Sequence, residues 1–260
     1  MQHVVATWSL LTDVPRPGWE NMAIDAALLD LADAGGSAFF RLYRWDPFCL
    51  SFGRHEPARR RYDAERIRAL GLDCVRRPTG GRAVWHAREL TYAVTAPLAL
   101  FGGLRPAYES LHRLLAKALA TLGATAALAP RTSPVGGVGT GPCFAAPVGG
   151  EVLIQGRKVV GSAQLRQGDA FLQHGSLLLE DDQGLVRDLA GFSENGAAEA
   201  TLSELLGRRV GFEEAAIAIA AAARDTLPGL EESEVLPHAV QAGVSRHVEK
   251  FRSPDWTWQR

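Results

Sequence analysis

The stretch Arg76-Arg77-Pro78-Thr79-Gly80-Gly81-Arg82-Ala83-Val84-Trp85-His86-Ala87-Arg88-Glu89-Leu90-Thr91-Tyr92 decides how this chain is read. A basic pair leads into a Gly-Gly turn, and an alternating strand carrying a histidine leads out of it. Glycines at such a turn let backbone approach a ligand with no side chain between. The arginines set positive charge beside that opening. The strand before the turn covers Asp73–Arg77. Even spacing of Val84, Tyr92 and Val94 predicts one continuing strand over Ala83–Ala96.

Upstream, apolar residues at helical spacing predict a helix over Trp19–Asp33, stopped by Gly35-Gly36. Ala38–Trp45 and Phe48–Gly53 read as two strands around an Asp46-Pro47 turn. Asp63–Leu70 reads as a short helix ended by Gly71. Downstream, a helix covers Tyr108–Leu122 and ends at Gly123. The Gly- and Pro-dense segment Ala129–Gly150 has no periodicity, and a loop of that length inside a domain points to function. A three-strand meander follows: Val152–Gln155, Lys158–Arg166 and Phe171–Leu179. Helices are expected over Thr201–Leu206, Glu213–Thr226 and Glu234–Phe251. With no internal repeat and no linker, the pattern predicts an α+β fold, a mixed or antiparallel sheet flanked by helices. It reads as one domain over residues 1–260 with a helical tail from about residue 200.

The bulk numbers narrow the function classes. A chain of 260 residues can bury a substantial core, and 47% hydrophobic with 22% charged residues is an ordinary soluble composition. A net charge of −1 gives no reason to expect a nucleic-acid partner. Three irregularly spaced cysteines, Cys49, Cys74 and Cys143, make neither a disulfide framework nor a zinc site. The N-terminus lacks a signal-peptide pattern, and the longest apolar run, Ala215–Ala223, is too short for a bilayer. A cytoplasmic protein with no membrane partner is the expectation.

Several residues could carry chemistry. Cys143 sits in the long loop as Gly-Pro-Cys-Phe-Ala-Ala-Pro, either as a nucleophile with a stabilised thiolate or as a buried small hydrophobe. Cys49 and Cys74 have apolar neighbours and read as core. Lys158 opens Gly156-Arg157-Lys158-Val159-Val160-Gly161-Ser162-Ala163, either as a solvated lysine or as a point charge for a thiolate or a carbonyl oxygen. The run Gly161-Ser162-Ala163 leaves a strand face nearly bare, which suits a ligand. His86 and His174 are candidates for acid–base work or for structural hydrogen bonds. His55, His112, His238 and His247 have no supporting context, and no zinc spacing links the histidines. Phosphate-loop and Gly-x-Ser-x-Gly motifs are absent from the sequence. Gly136–Gly141 lacks the strand before and the helix after that a dinucleotide loop needs.

Taken together, Trp19-Glu-Asn-Met-Ala23, Leu42-Tyr-Arg-Trp45, Leu50-Ser-Phe-Gly-Arg54, Arg76-Arg77-x-Thr-Gly-Gly, His86, Gly156-Arg-Lys-x-x-Gly-Ser-Ala163 and Leu172-Gln-His-Gly-Ser176 resemble the lipoate–protein ligase, octanoyltransferase and biotin ligase superfamily in its usual order. The resemblance covers about residues 1 to 200. It implies a biotin/lipoate protein ligase-like catalytic fold. It also implies an acyl site built from Arg76, Arg77, Thr79, Gly80, Gly81, Arg82, His86, Gly161, Ser162, Ala163 and His174. ATP-dependent ligases generally have a third glycine after the pair, where Arg82 stands here. Cys143-Phe144-Ala145-Ala146-Pro147 is similar to the nucleophile context of the cysteine-dependent octanoyltransferase branch. The sequence ends near Trp256-Thr257-Trp258, without the further domain of many ligases.

That branch implies octanoyl transfer from acyl carrier protein through a Cys143 thioester. The acceptor is a lysine of a 2-oxoacid dehydrogenase lipoyl domain or of glycine-cleavage H protein, and Lys158 steadies the charge. No ATP, metal or other cofactor is implied. Two positions depart from the pattern. Ala87 stands where an acidic residue often follows the histidine, and Val148-Gly149-Gly150 lacks the expected polar and aromatic residues. The rival readings are an ATP-dependent lipoate or octanoate ligase, an octanoyl amidotransferase between lipoyl-bearing proteins, and a non-catalytic acyl- or carrier-binding module.

Overall fold

Period-two alternation along the strands builds the molecule. The structure, a computed structural model, describes residues 6–129, 150–180, 183–191, 199–233 and 236–260. The first half contains β1 (Thr7–Thr12), α1 (Gly18–Ala34), β2 (Ser37–Tyr43), β3 (Cys49–Phe52), α2 (Ala58–Arg61), α3 (Ala64–Ala69), β4 (Asp73–Arg76), β5 (Val84–His86), β6 (Glu89–Pro97) and α4 (Leu104–Thr121). The second half contains β7 (Ala126–Leu128), β8 (Val152–Ile154), β9 (Arg157–Lys158), β10 (Val160–Gln167), β11 (Ala170–Leu178), α5 (Gly184–Leu189), α6 (Leu202–Leu206), α7 (Phe212–Thr226), β12 (Leu230–Ser233), α8 (His238–Arg252) and α9 (Pro254–Thr257).

Among the described residues, the main sheet has the order β10-β11-β6-β2-β1-β12, and two three-stranded sheets have the orders β4-β3-β5 and β7-β8-β9. The main sheet is mixed: β2 and β12 run parallel to β1, whereas the β2–β6, β6–β11 and β11–β10 pairs are antiparallel. Because successive side chains alternate faces, Leu10, Phe40, Tyr92 and Val94 pack with α4 and α7. Leu11 and Phe39 pack on the other side with α1 and α8. Each such fully buried side chain contributes roughly 1.5–3 kcal/mol. Helix α1, held between the sheet and α8, is buried on most of its surface, including Asn21 and Asp25.

Three expectations change. The strand read over 83–96 is two strands in two sheets, with Glu89 N–H donating to the Ala87 carbonyl at the step between them. The even spacing of Val84, Tyr92 and Val94 spans the step, so that spacing by itself cannot see it. Strands β2 and β3 do not pair with each other, because β3 takes β4 and β5 as neighbours. The meander divides at Val159: β9, with Lys158, joins the small sheet, while β10 and β11 form a hairpin at the edge of the main one. Strand β12 was not expected at all, and it closes the opposite edge beside β1. No described helix is long and apolar enough to cross a membrane.

Candidate active site

The Gly-Gly turn is shaped by Arg77, whose charge is spent on backbone. Its Nε and Nη2 donate to the Gly80 carbonyl at 3.2 and 3.0 Å, and Nη2 also donates to the Arg82 carbonyl at 2.6 Å. Nη1 reaches Ser51, at its carbonyl and its Oγ, both at 3.0 Å. A planar guanidinium with five fixed donors suits this multiple capture. Gly81 has φ of 89°, where a side chain is strained. A Cβ built on the facing Gly53 would lie 1.9 Å from the Gly81 carbonyl oxygen, so the two backbones can meet only because Gly53 has none. Gly80 faces open space.

Thr79, next in the loop, is pinned from the main sheet. Its hydroxyl lies 2.6 Å from His174 Nε2, and His174 Nδ1 lies 3.2 Å from Asp25 Oδ2 on α1. Asp25, fully buried, also accepts from Arg41 Nη1 at 2.9 Å and Tyr43 Oη at 2.9 Å. A buried carboxylate needs such partners to remain in the core. The Gly-Gly loop is thus tied to the sheet through one imidazole.

His86 is fixed at both nitrogens. Nε2 is 2.8 Å from Ser51 Oγ, while Nδ1 faces Glu89 Oε1 at 3.4 Å and Ser176 Oγ at 3.2 Å. Its ring stacks on Trp45 with centroids 4.0 Å apart. Burial pushes the His86 pKa below its ordinary value although Glu89 pulls it up, so the ring is neutral at pH 7. Glu89, brought back by the turn between β5 and β6, is the carboxylate that faces His86.

These groups surround a cleft lined by Met22, Tyr43, Trp45, Ser51, Arg77, Val84, His86, Thr91, Gly161, Ser162, Ala163, His174, Gly175 and Ser176. One wall is nearly bare. A Cβ on Gly175 would lie 2.5 Å from the Gly161 carbonyl oxygen and 2.6 Å from Ser162 Oγ. The Ser162 hydroxyl is engaged with Tyr92 Oη at 2.7 Å and with His112 Nε2 on α4 at 2.8 Å. His112 Nδ1 donates to the Gly150 carbonyl at 2.6 Å, so its Nε2 accepts from Ser162.

Of the residues expected in the site, Arg77, His86, Gly161, Ser162, Ala163 and His174 line the cleft, and Thr79, Gly80, Gly81 and Arg82 form the loop above it. Arg76 is not in the cleft. Fully buried, it donates to the carbonyls of Gly53, Arg54, Glu56, Trp256 and Thr257 and so clamps chain segments together. Lys158 does not line the cleft either, and its Nζ pairs with Glu151 Oε1 at 2.7 Å, both side chains buried. Cys143 and the stretch 130–149 lie outside the described residues. The other two cysteines are held as thiols: burial raises Cys49 well above its ordinary value, and burial with Asp73 raises Cys74 to about 11. Glu89, Asp25, Ser51, His112 and Glu151 were not singled out from sequence. Only Glu89 had a cue, its place at the start of a strand just beyond the histidine.

Comparison with known proteins places this geometry. The model of the lipoyl protein ligase A/B catalytic domain matches residues 17–224. Octanoyltransferase LipM of Symbiobacterium thermophilum is 40% identical over 232 residues, covering 82% of this chain and 84% of its own. Octanoyltransferase LipM of Exiguobacterium sibiricum is 34% identical over 280 residues, covering 99% and 100%. A solved lipoate–protein ligase A bound with ATP has a TM-score of 0.81 at 19% identity, covering 97% of this chain and 98% of that one, which establishes a common fold. The chain belongs to the lipoyl protein ligase A/B catalytic domain family.

Proposed function

We propose that this protein is an octanoyltransferase of lipoate biosynthesis. It takes octanoyl from the thioester of acyl carrier protein, holds it on Cys143, and delivers it to a lysine of a lipoyl domain or of glycine-cleavage H protein. The observation that carries the reading is a cleft with a bare Gly161–Ala163 and Gly175 wall, in a chain 34% identical over almost its whole length to an octanoyltransferase. An unbranched acyl chain needs such a wall, because its packing depends on close contact rather than on polar partners.

In the first half-reaction the Cys143 thiolate attacks the donor carbonyl, a C–S bond to the enzyme forms, and the carrier thiol leaves. In the second, the acceptor lysine amine attacks the enzyme thioester, loses a proton, and leaves as an amide while the thiolate returns. Lys158 is the cation this reading assigns to the negative charge of thiolate and tetrahedral oxyanion, a task that requires it to leave its pairing with Glu151. His86 and His174 keep the loop and cleft wall in register through their hydrogen bonds to Ser51 and Thr79. The high thiol pKa values of Cys49 and Cys74 support Cys143 as the nucleophile.

The test is mass spectrometry after incubation with octanoyl-acyl carrier protein in the absence of ATP. An octanoyl adduct on wild type, absent from Cys143→Ala, is the expected result. An unmodified wild-type enzyme, or an adduct that appears only with ATP and free octanoate, sinks the reading in favour of a ligase.

A further inference from the structure

The run from Arg54 to Arg68 is a strongly basic, largely exposed stretch of the chain. It holds six arginines against Glu56, Asp63 and Glu65, whereas the whole chain carries −1 and the remaining residues therefore sum to −4. Two of the three acids are already occupied. Glu56 is buried and accepts from Gly53 N–H and Tyr62 Oη, and Asp63 caps α3 through the Glu65 and Arg66 N–H groups. Arg54, Arg59, Arg60, Arg66 and Arg68 are exposed, and among the described residues none of the five is ion-paired. Elsewhere on the surface arginines sit in pairs, such as Arg105–Glu109, Arg157–Glu204, Arg208–Glu214 and Arg209–Glu180. A face kept basic in a net acidic protein attracts anions and accelerates their encounter.

Its position links it to the cleft. Arg54 N–H donates to the Thr79 carbonyl at 2.8 Å, and Gly53, one residue earlier, touches the Gly81 carbonyl. The basic run therefore leaves directly from the rim of the substrate loop. Resting on the transfer proposed above, we infer that Arg54, Arg59, Arg60, Arg66 and Arg68 dock the acyl donor: an acidic carrier protein whose thioester arm bears a phosphate. Guanidinium groups recognise phosphate and carboxylate through paired N–H donors. Of the two partners, the donor is the one that brings a phosphate to this rim, which the acceptor lysine does not.

The experiment compares two donors that share one thioester. Octanoyl-acyl carrier protein presents the phosphate and the protein surface; octanoyl-pantetheine presents neither. The Arg59→Glu/Arg60→Glu variant is expected to raise KM for the carrier-bound donor about tenfold, with little change in kcat. Turnover of octanoyl-pantetheine and KM for the acceptor domain stay as in wild type, which also shows that the variant is folded. Arg66→Glu/Arg68→Glu on α3 repeats the test independently, and added salt shrinks the effect of both variants.

An unchanged KM for the carrier-bound donor in both variants overturns the assignment, as does a rise confined to the acceptor. Salt-sensitive binding of RNA or anionic vesicles that the variants lose, with donor KM unchanged, overturns it in favour of those partners. If wild type turns over neither donor, the transfer reading itself falls and the donor surface falls with it. Failure of the surface alone leaves wild-type turnover intact.

Discussion

His112 carries no cue in its sequence neighbourhood, yet its ring is hydrogen-bonded at both nitrogens, to Gly150 and to Ser162. Burial, helped by the charge of Lys158, pushes its pKa down to about 4 although the Gly150 carbonyl pulls it up. An unfolded histidine binds its proton near pH 6.5, so between that pH and about 4 the unfolded chain holds a proton that the folded protein lacks. This contribution is complete above pH 6.5 and is lost as pH falls toward 4, by about 3 kcal/mol. His112→Gln is expected to flatten the loss of stability over that window, read by urea unfolding at pH 7, 5.5 and 4.5. His86, shifted the same way, leaves a residual slope in the variant. An equal slope in the variant and wild type contradicts the assignment. Arg77, His86 and His174 were legible as residues near one another at the cleft, which they line, but their hydrogen-bond partners were not. A motif names a residue, while its hydrogen bonds depend on strands from elsewhere in the chain.

At the scale of elements, the substrate loop is a backbone object, built where Gly53 and Gly81 touch. Gly53→Ala puts a Cβ against a carbonyl oxygen that is itself held in the turn, so the loop must shift. A shift approaching 1 Å at a reacting site costs about 10²-fold in rate. The expected outcome is a loss near that size in octanoyl-transfer kcat/KM with a thermal midpoint little changed. Gly80→Ala, which faces open space, is expected to alter substrate contact without moving the loop. A wild-type rate for Gly53→Ala contradicts the packing argument. The long helices were legible because their apolar spacing and terminal glycines agree with the packing they meet. The splits at Ala87-Arg88 and at Val159 were hidden, since the sheet a strand joins is set by partners distant in sequence.

At the scale of the whole molecule, the C-terminal segment reaches back to the motif that opens the site. Arg76 donates to the Trp256 and Thr257 carbonyls, Trp256 Nε1 donates to the Arg76 carbonyl at 2.8 Å, and Trp258 packs on Phe52. Removing residues 254–260 is expected to raise hydrogen exchange at Val75–Arg82 and to lower octanoyl transfer, while exchange in the main sheet stays slow. Uniformly faster exchange would point instead to a general loss of stability. The sequence alone determined the long helices, the bare Gly-Ser-Ala strand, the Gly-Gly turn and the family they resemble, because each is written in local spacing and local residue type. Tertiary structure alone decided that Arg76 is a clamp, that Lys158 rests on Glu151, that Glu89 faces His86, and that the basic run meets the Gly-Gly loop at Arg54. Those facts join residues distant in sequence, and burial and charge pairing act on distance in space.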